Sequence, residues 1–320
     1  MTPTLNNPKA HAEPSFVPWR ADHHMHIKSR AAVDALIVMC ASFGEDPPPN
    51  AAPSLGTDAV AALEQVRAQR GVLLSQAYFF GSPYAASAHY DVPHMTRAEN
   101  EYVAEQVLTY PDRLVGFFSV NPLSSNAPDE VRHWARDGRL KGMKLHLSNS
   151  VVRFEDSEHV RQLGAVVRLA GEAKLPMVIH LSTTSRFTAQ ETEIFIRDVL
   201  PCAGDAWVQI AHGAGFGGTE QAMLEPIRVF ARHIERNNAV TRNVVFDLSE
   251  VVTPRTTEES AGSFVAAMRK IGVSRFLPGC DWDLNQPKES DELMRRKFHV
   301  LSQDEWQTVA GNCAPWACEQ

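Results

Sequence analysis

Short apolar runs rich in β-branched and aromatic residues alternate eight times with longer stretches of helical period, and this rhythm constrains the fold more than any other feature of the chain. The runs fall at residues 17–27, 71–80, 114–122, 140–147, 175–182, 206–213, 243–251 and 275–281. Strands that alternate with helices run parallel, because each crossover helix brings the chain back to start the next strand in the same sense. Eight such units close naturally into a barrel, whereas an open doubly wound sheet uses fewer strands and often carries a glycine-rich nucleotide loop. Gly213, Gly215, Gly217 and Gly218 follow the sixth run with the wrong spacing for a dinucleotide or phosphate loop, and read as a flexible barrel loop. The expected fold is α/β, a (β/α)8 TIM barrel over residues 17–320 behind a flexible N-terminal arm at 1–16.

The connections add detail. Helices are expected over 57–70, with Val60, Leu63 and Val66 on one side, and over 156–174, with Val160, Leu163, Val167 and Leu169; Thr57 and Asp156 are the expected caps. The stretch 28–56 exceeds the roughly 2–6 residues of an ordinary strand-to-helix connection, so it reads as an insertion after the first strand, over the catalytic face. Residues 81–95, carrying Tyr84, His89, Tyr90 and His94, would sit beside it.

Composition excludes several function classes. With 44% hydrophobic and 22% charged residues the chain is a folded one, not a disordered or fibrous one. Thirty-one Lys and Arg against thirty-eight Asp and Glu give a net charge of −7 without a block of like charges, which argues against nucleic acid or anionic membrane as partner and for a small molecule. No run approaches the roughly 20 apolar residues of a membrane span, and 1–16 carries no apolar signal core, so a cytoplasmic location is expected. Five scattered cysteines, Cys40, Cys202, Cys280, Cys313 and Cys318, read as reduced thiols, and Cys313 and Cys318 lack the second pair a structural zinc site needs.

Polar residues that are awkward to bury gather at the C-terminal ends of the expected strands: Asp22, His24 and His26 on the first, Lys144 and His146 on the fourth, His180 on the fifth, His212 on the sixth and Asp281 on the eighth. Residues two apart on a strand share a face, so His24 and His26 can meet one ion, with Asp22 one step deeper and His23 and Met25 pointing outward. In a closed barrel all these strand ends converge on one face, where unpaired buried polar groups would be costly. Imidazole and carboxylate donors suit zinc, iron, manganese or cobalt.

The same residues resemble the amidohydrolase superfamily, in the branch that includes aminocarboxymuconate-semialdehyde decarboxylase, resorcylate decarboxylases and pyrone-dicarboxylate lactonase. Asp22, His24 and His26 match its opening Asp-x-His-x-His, and Gly142 to His146 match its Gly-x-Lys-Leu-His. Leu175, Pro176 and His180 match Leu-Pro-x-x-x-His; His212, Gly279 with Asp281, and Gly311-Asn312 complete the order. The resemblance implies one divalent metal ion, zinc first, with Mn2+, Fe2+ or Co2+ as alternatives, held by His24, His26, His180 and Asp281. It further implies that Asp281 moves a proton as general base and acid, and that His212 polarises or orients the substrate carbonyl. Lys144 stands where binuclear relatives carry a carboxylated lysine, but the branch resembled works with one ion, so a second is not expected, and Lys144 and His146 are supporting candidates.

Metal, water and carboxylate form complete machinery for hydrolysis of an ester, lactone or amide, which is the preferred expectation; decarboxylation of an aromatic or enol-type acid is the alternative, and a non-catalytic ligand-binding barrel a third. Lys28, Arg30, Arg186 and Arg255 follow strands and could clamp a substrate carboxylate, while Trp282, Tyr84 and Phe187 could form an apolar wall. Related barrels commonly pair through outer helices or inserted loops, which leaves a homodimer open.

Overall fold

A computed structural model of the chain describes residues 16–181, 187–219 and 221–318. Its strands are β1 (Ala21–Met25), β2 (Arg70–Leu74), β3 (Leu114–Ser119), β4 (Gly142–His146), β5 (Met177–His180), β6 (Val208–Ile210), β7 (Val244–Asp247) and β8 (Phe276–Leu277). They lie in sequence order, each parallel to the next. β8 meets β1 through Asp281 N–H on the His24 carbonyl at 2.9 Å, His23 N–H on the Pro278 carbonyl at 3.0 Å, and a parallel bridge between Met25 and Trp282. The result is the nearly closed (β/α)8 barrel that the rhythm predicts. The expected arm, 1–16, lies outside the described residues except for Phe16.

The helices in chain order are α1 (Arg30–Ser42), α2 (Gly56–Glu64), α3 (Val92–Thr109), α4 (Ala127–Asp137), α5 (Ser157–Glu172), α6 (Ala189–Ile194), α7 (Gln221–Glu235), α8 (Glu258–Ile271), α9 (Pro287–Lys297), α10 (Gln303–Gly311) and α11 (Pro315–Cys318). Asp156 caps α5 as expected, its carboxylate accepting the Glu158 and His159 N–H groups. Thr57 does not cap α2. That helix starts one residue earlier and stops at Glu64, and the Asp58 carboxylate closes its first turn by accepting the Leu55 N–H at 2.8 Å.

Strand alternation sorts the side chains. On β4, Met143 and Leu145 join the outer core against the helices, which leaves Lys144 and His146 facing the axis. On β5 and β7 the outer residues are Met177, Ile179, Val244 and Phe246; Val178 and Val245 face in, and His180 and Asp247 stand above them. The axis is filled by Val72, Leu74, Val115, Phe117, Val178, Val245 and Leu277, and closed from below by Ala314, Trp316 and Ala317. The Arg70 guanidinium, at the start of β2, donates to the Ala317 carbonyl at 3.2 Å, which fixes this plug at the N-terminal ends of the strands. Cys313 and Cys318 are joined in a disulfide there, against the expectation of reduced thiols; Cys40, Cys202 and Cys280 are free.

β1 breaks the alternation. Its register shifts between Asp22 and Met25, and the outward position expected for His23 does not hold: its Nε2 accepts the Ala314 N–H of the inner plug at 3.1 Å. Asp22 is taken up by the N–H groups of His24 and Cys280. Above the strand ends, the insertion after β1 forms α1, capped by Ser29, and packs Ala32, Ala35 and Met39 on Tyr78, Phe79, Phe80 and Ala85 of the loop after β2. These two segments roof the catalytic face.

Candidate functional site

His24 and His26 are oriented from behind. The His24 Nδ1–H donates to the Asp247 carboxylate at 3.0 Å, and the His26 Nδ1–H donates to the Leu74 carbonyl at 2.7 Å. Both imidazoles therefore present an Nε2 lone pair, the arrangement that a metal-ligating histidine adopts when its other nitrogen is tied down. Asp281 Oδ1 lies 3.5 Å from His24 Nε2 and 3.3 Å from His26 Nε2. Ligand atoms of His24, His26 and Asp281 all fall within 4.8 Å of one another. His180 stands beside them, its ring 4.6 Å from that of His212, and its buried Nε2 has no hydrogen-bond partner. An orphaned imidazole nitrogen next to two lone pairs and a carboxylate is a donor set that fits a divalent cation.

Charge follows the same geometry. Burial alone would raise the Asp281 carboxyl, but His24, His26 and His212 around it hold it well below the usual carboxylate range. Asp247 is held down in the same way, against burial, by His24, His212 and the Ser249 hydroxyl. Burial pushes the imidazoles the other way: His212 falls to about 4, and His24, His146 and His180 are lowered, with Lys144 adding to the effect. Lys144 is itself wholly buried, which brings its ammonium down to about 8, and its Nζ lies 3.2 Å from His24 Nε2.

His212 lies at the end of β6 in the left-handed region, at φ 56°, and Asp281 shares that conformation at φ 62°. Such backbone costs about 1–3 kcal/mol per residue and persists where the surroundings over-determine it. For His212 they do. Its N–H donates to Asp247 at 3.0 Å and its Nδ1–H to the Ser249 carbonyl at 3.0 Å, so its Nε2 presents an acceptor.

These residues form the floor of a cavity of about 400 Å3 that opens under the α1 roof. Leu36, Met39, Phe43, Phe79, Phe216 and Leu284 make its apolar wall; Lys28, Gln76, Tyr78, His146 and Asn149 are polar groups on its edge. Lys28 is 2% exposed and paired with Asp283, which also receives the Asn50 amide at 3.1 Å. Arg30 is in solvent, paired with Asp34. Tyr84 and Phe187 line an adjoining outer cleft, Tyr84 with its ring 4.6 Å from that of Phe43. Trp282, expected at the apolar wall, is packed in the outer core, and Arg255, expected as a carboxylate clamp, lines a separate cleft with Arg228 and Thr253. Arg186 lies outside the described residues.

Sequence reading missed Asp247, although a carboxylate closing the apolar run Val244-Val245-Phe246 at the height of His180 was a usable signal. It missed Tyr78, Gln76 and Asn149 as well, since nothing in a loop sequence says which side chains turn inward.

A barrel with imidazoles and carboxylates gathered at the C-terminal mouth of its strands defines a class of enzyme whose chemistry is centred on that mouth. The chain belongs to the amidohydrolase family, whose model matches residues 21–311, and is an enzyme of that superfamily. Among solved structures it is similar to 5-carboxyvanillate decarboxylase from Sphingomonas paucimobilis, at 14% identity and TM-score 0.64, over 93% of this chain and 97% of that one. The Novosphingobium aromaticivorans 5-carboxyvanillate decarboxylase, solved with manganese and 4-hydroxy-3-methoxy-5-nitrobenzoic acid, matches at 15% identity and TM-score 0.61, over 98% and 97%. A probable 2-pyrone-4,6-dicarboxylic acid hydrolase from Acinetobacter baumannii, solved with citric acid, matches at 15% identity and TM-score 0.55, over 90% and 95%. No curated protein matches the chain by sequence.

Proposed function

We propose that the protein is a metal-dependent decarboxylase of a small hydroxylated aromatic or enol-type acid. The observation that carries this reading is the cavity: a His and Asp donor set on its floor and mostly apolar side chains above it. Moving a carboxylate from water into such a wall favours the transition state, in which its charge disperses, over the ground state, in which it is localised. His24, His26, His180 and Asp281 would hold the ion. A divalent cation there, manganese or zinc by its donor set, supplies Lewis acidity towards the substrate oxygens.

The remaining steps belong to the chain. His212 Nε2, a neutral acceptor, takes the proton of the substrate hydroxyl and delivers it to the carbon that bears the carboxylate, giving the keto tautomer. The carbon–carboxylate bond then breaks, carbon dioxide leaves, and the electron pair returns to the oxygen as phenolate or enolate. The α1 roof and its apolar residues exclude water. Asp281, kept ionised by the imidazoles, holds position and charge balance at the floor.

Hydrolysis is the second reading, favoured by one observation: the same His212 Nε2 acceptor that would take a hydroxyl proton would also serve as general base towards a water polarised by the ion. Product analysis decides. Protein loaded with Mn2+ or Zn2+ should release carbon dioxide from a panel of hydroxybenzoates, should stop after dialysis against a chelator, and should be inactive as His24→Ala. Oxygen-18 from water appearing in a new acid from a lactone or ester panel, without carbon dioxide, would replace decarboxylation by hydrolysis. Full turnover by the metal-free protein would defeat both.

A further inference from the structure

Three of the site's imidazoles have their tautomer set in the same sense. His24, His26 and His212 each donate from Nδ1, to Asp247, Leu74 and Ser249, and each presents a lone pair from Nε2. None of them in this form can donate a hydrogen bond to a substrate oxygen. His146 is set the opposite way. Its Nδ1 accepts the Asn149 backbone N–H at 3.3 Å, so the ring hydrogen sits on Nε2. That Nε2 has no partner among the described residues, and the ring edge lines the cavity.

The ring cannot easily turn away. His146 pairs with His180 across the β4–β5 ladder, and the two rings stack at 3.9 Å and 14°. Tyr78 packs against it at 4.9 Å. The turn after β4 is closed by Ser150 N–H on the His146 carbonyl at 3.0 Å, which keeps the Asn149 N–H in place. Ring, backbone and neighbour thus fix one donor on a ring that lines the cavity.

We propose that His146 is a catalytic residue: its Nε2–H binds the substrate oxygen on which charge grows as the carbon–carboxylate bond breaks. A fixed donor that meets charge only as it develops lowers the barrier without reorganising, which is the logic of an oxyanion hole. This places at His146 the polarising role that the sequence pattern assigned to His212, and it rests on the reading of the cavity as the substrate site. The group recognised is a phenolate or enolate oxygen beside a carboxylate.

The test compares His146→Leu, which removes the donor at similar volume, with His146→Gln, whose amide N–H replaces it near the Nε2 position. Metal content and melting temperature should match the wild type in both. Loss of one such donor should lower kcat roughly 10²–10³-fold with little change in KM for the leucine variant, and the glutamine variant should recover at least about tenfold of it. A second readout needs no turnover. Bound 4-hydroxy-3-nitrobenzoate should show its nitrophenolate band shifted to shorter wavelength by the wild type and His146→Gln, and not by His146→Leu.

Unchanged kcat in His146→Leu, or a probe band that this variant still shifts as far as the wild type does, overturns the proposal, as does a kcat loss that tracks loss of metal, which would make His146 a ligand. Wild type that shifts the probe yet releases no carbon dioxide leaves the donor standing and removes decarboxylation. Wild type that does neither overturns the reading of the cavity and this inference with it.

Discussion

Asp247 holds more of the site in place than any ligand does. One buried carboxylate receives the His24 Nδ1–H, the Gln209 amide at 2.7 Å, the His212 and Ser249 N–H groups, and the Ser249 hydroxyl at 2.5 Å. Its value to a bound metal would lie in the His24 tautomer: with the carboxylate on Nδ1, only Nε2 is left to bind. Asp247→Asn keeps the shape but offers an amide that donates as well as accepts, so His24 can turn or change tautomer. Outer partners of this kind typically matter by about 10–100-fold in metal affinity, and that loss is the expected result of a metal-buffered titration of Asp247→Asn. Affinity equal to the wild type's would show that His24 needs no such partner.

A buried acid on an outer helix holds the start of the roof. Glu99 on α3 accepts the Ser29 N–H at 3.2 Å and the Ser29 hydroxyl, which in turn caps α1. Burial raises the Glu99 carboxyl from its ordinary 4.5 to about 7. The folded chain therefore binds this proton more tightly than the unfolded one, and the stability it brings is complete below pH 4.5 and lost as pH rises through 7. Across that window the loss amounts to about 3 kcal/mol at most. Melting curves of wild type and Glu99→Gln should converge near pH 5 and separate at pH 8, with the glutamine variant higher; parallel curves would place the titration elsewhere. The place of this roof was legible in the sequence as the insertion 28–56, but its helix was not. Lys144 and His146 stood out because Met143 and Leu145 alternate with them, but the α1 run from Ala31 to Ala41 is apolar on nearly every side, one face on the loop after β2 and another on the cavity, so it carries no period to read. Strand ends were overlong for a related reason: Tyr78, Phe79 and Phe80 are apolar beyond β2 because they pack under the roof, not because the ladder continues. The β1 irregularity reversed His23, and a one-residue shift in register leaves no trace in composition.

At the scale of the molecule the barrel divides its labour between its two mouths. Chemistry-bearing residues crowd the C-terminal mouth, while the other end is closed by Trp316, its ring 6.3 Å from Phe117 and from Trp207, and by the disulfide between Cys313 and Cys318. That disulfide spans a sequence separation of 5, and so small a ring restrains the unfolded chain by only about 2 kcal/mol. Removing a buried tryptophan costs about 3–5 kcal/mol. Denaturant melts should therefore rank Trp316→Ala well below the Cys313→Ser/Cys318→Ser double variant. Metal affinity is the sharper measurement, because one thread joins the two ends: the Ala314 N–H on His23 Nε2, next in the chain to His24. If the mouths are independent, both variants keep the wild-type affinity within about threefold, which is the expected outcome given how firmly Asp247 and the β7 strand fix His24. A larger fall in the double variant, at full folding, would mean that the plug sets the position of His23 and through it the first ligand of the site.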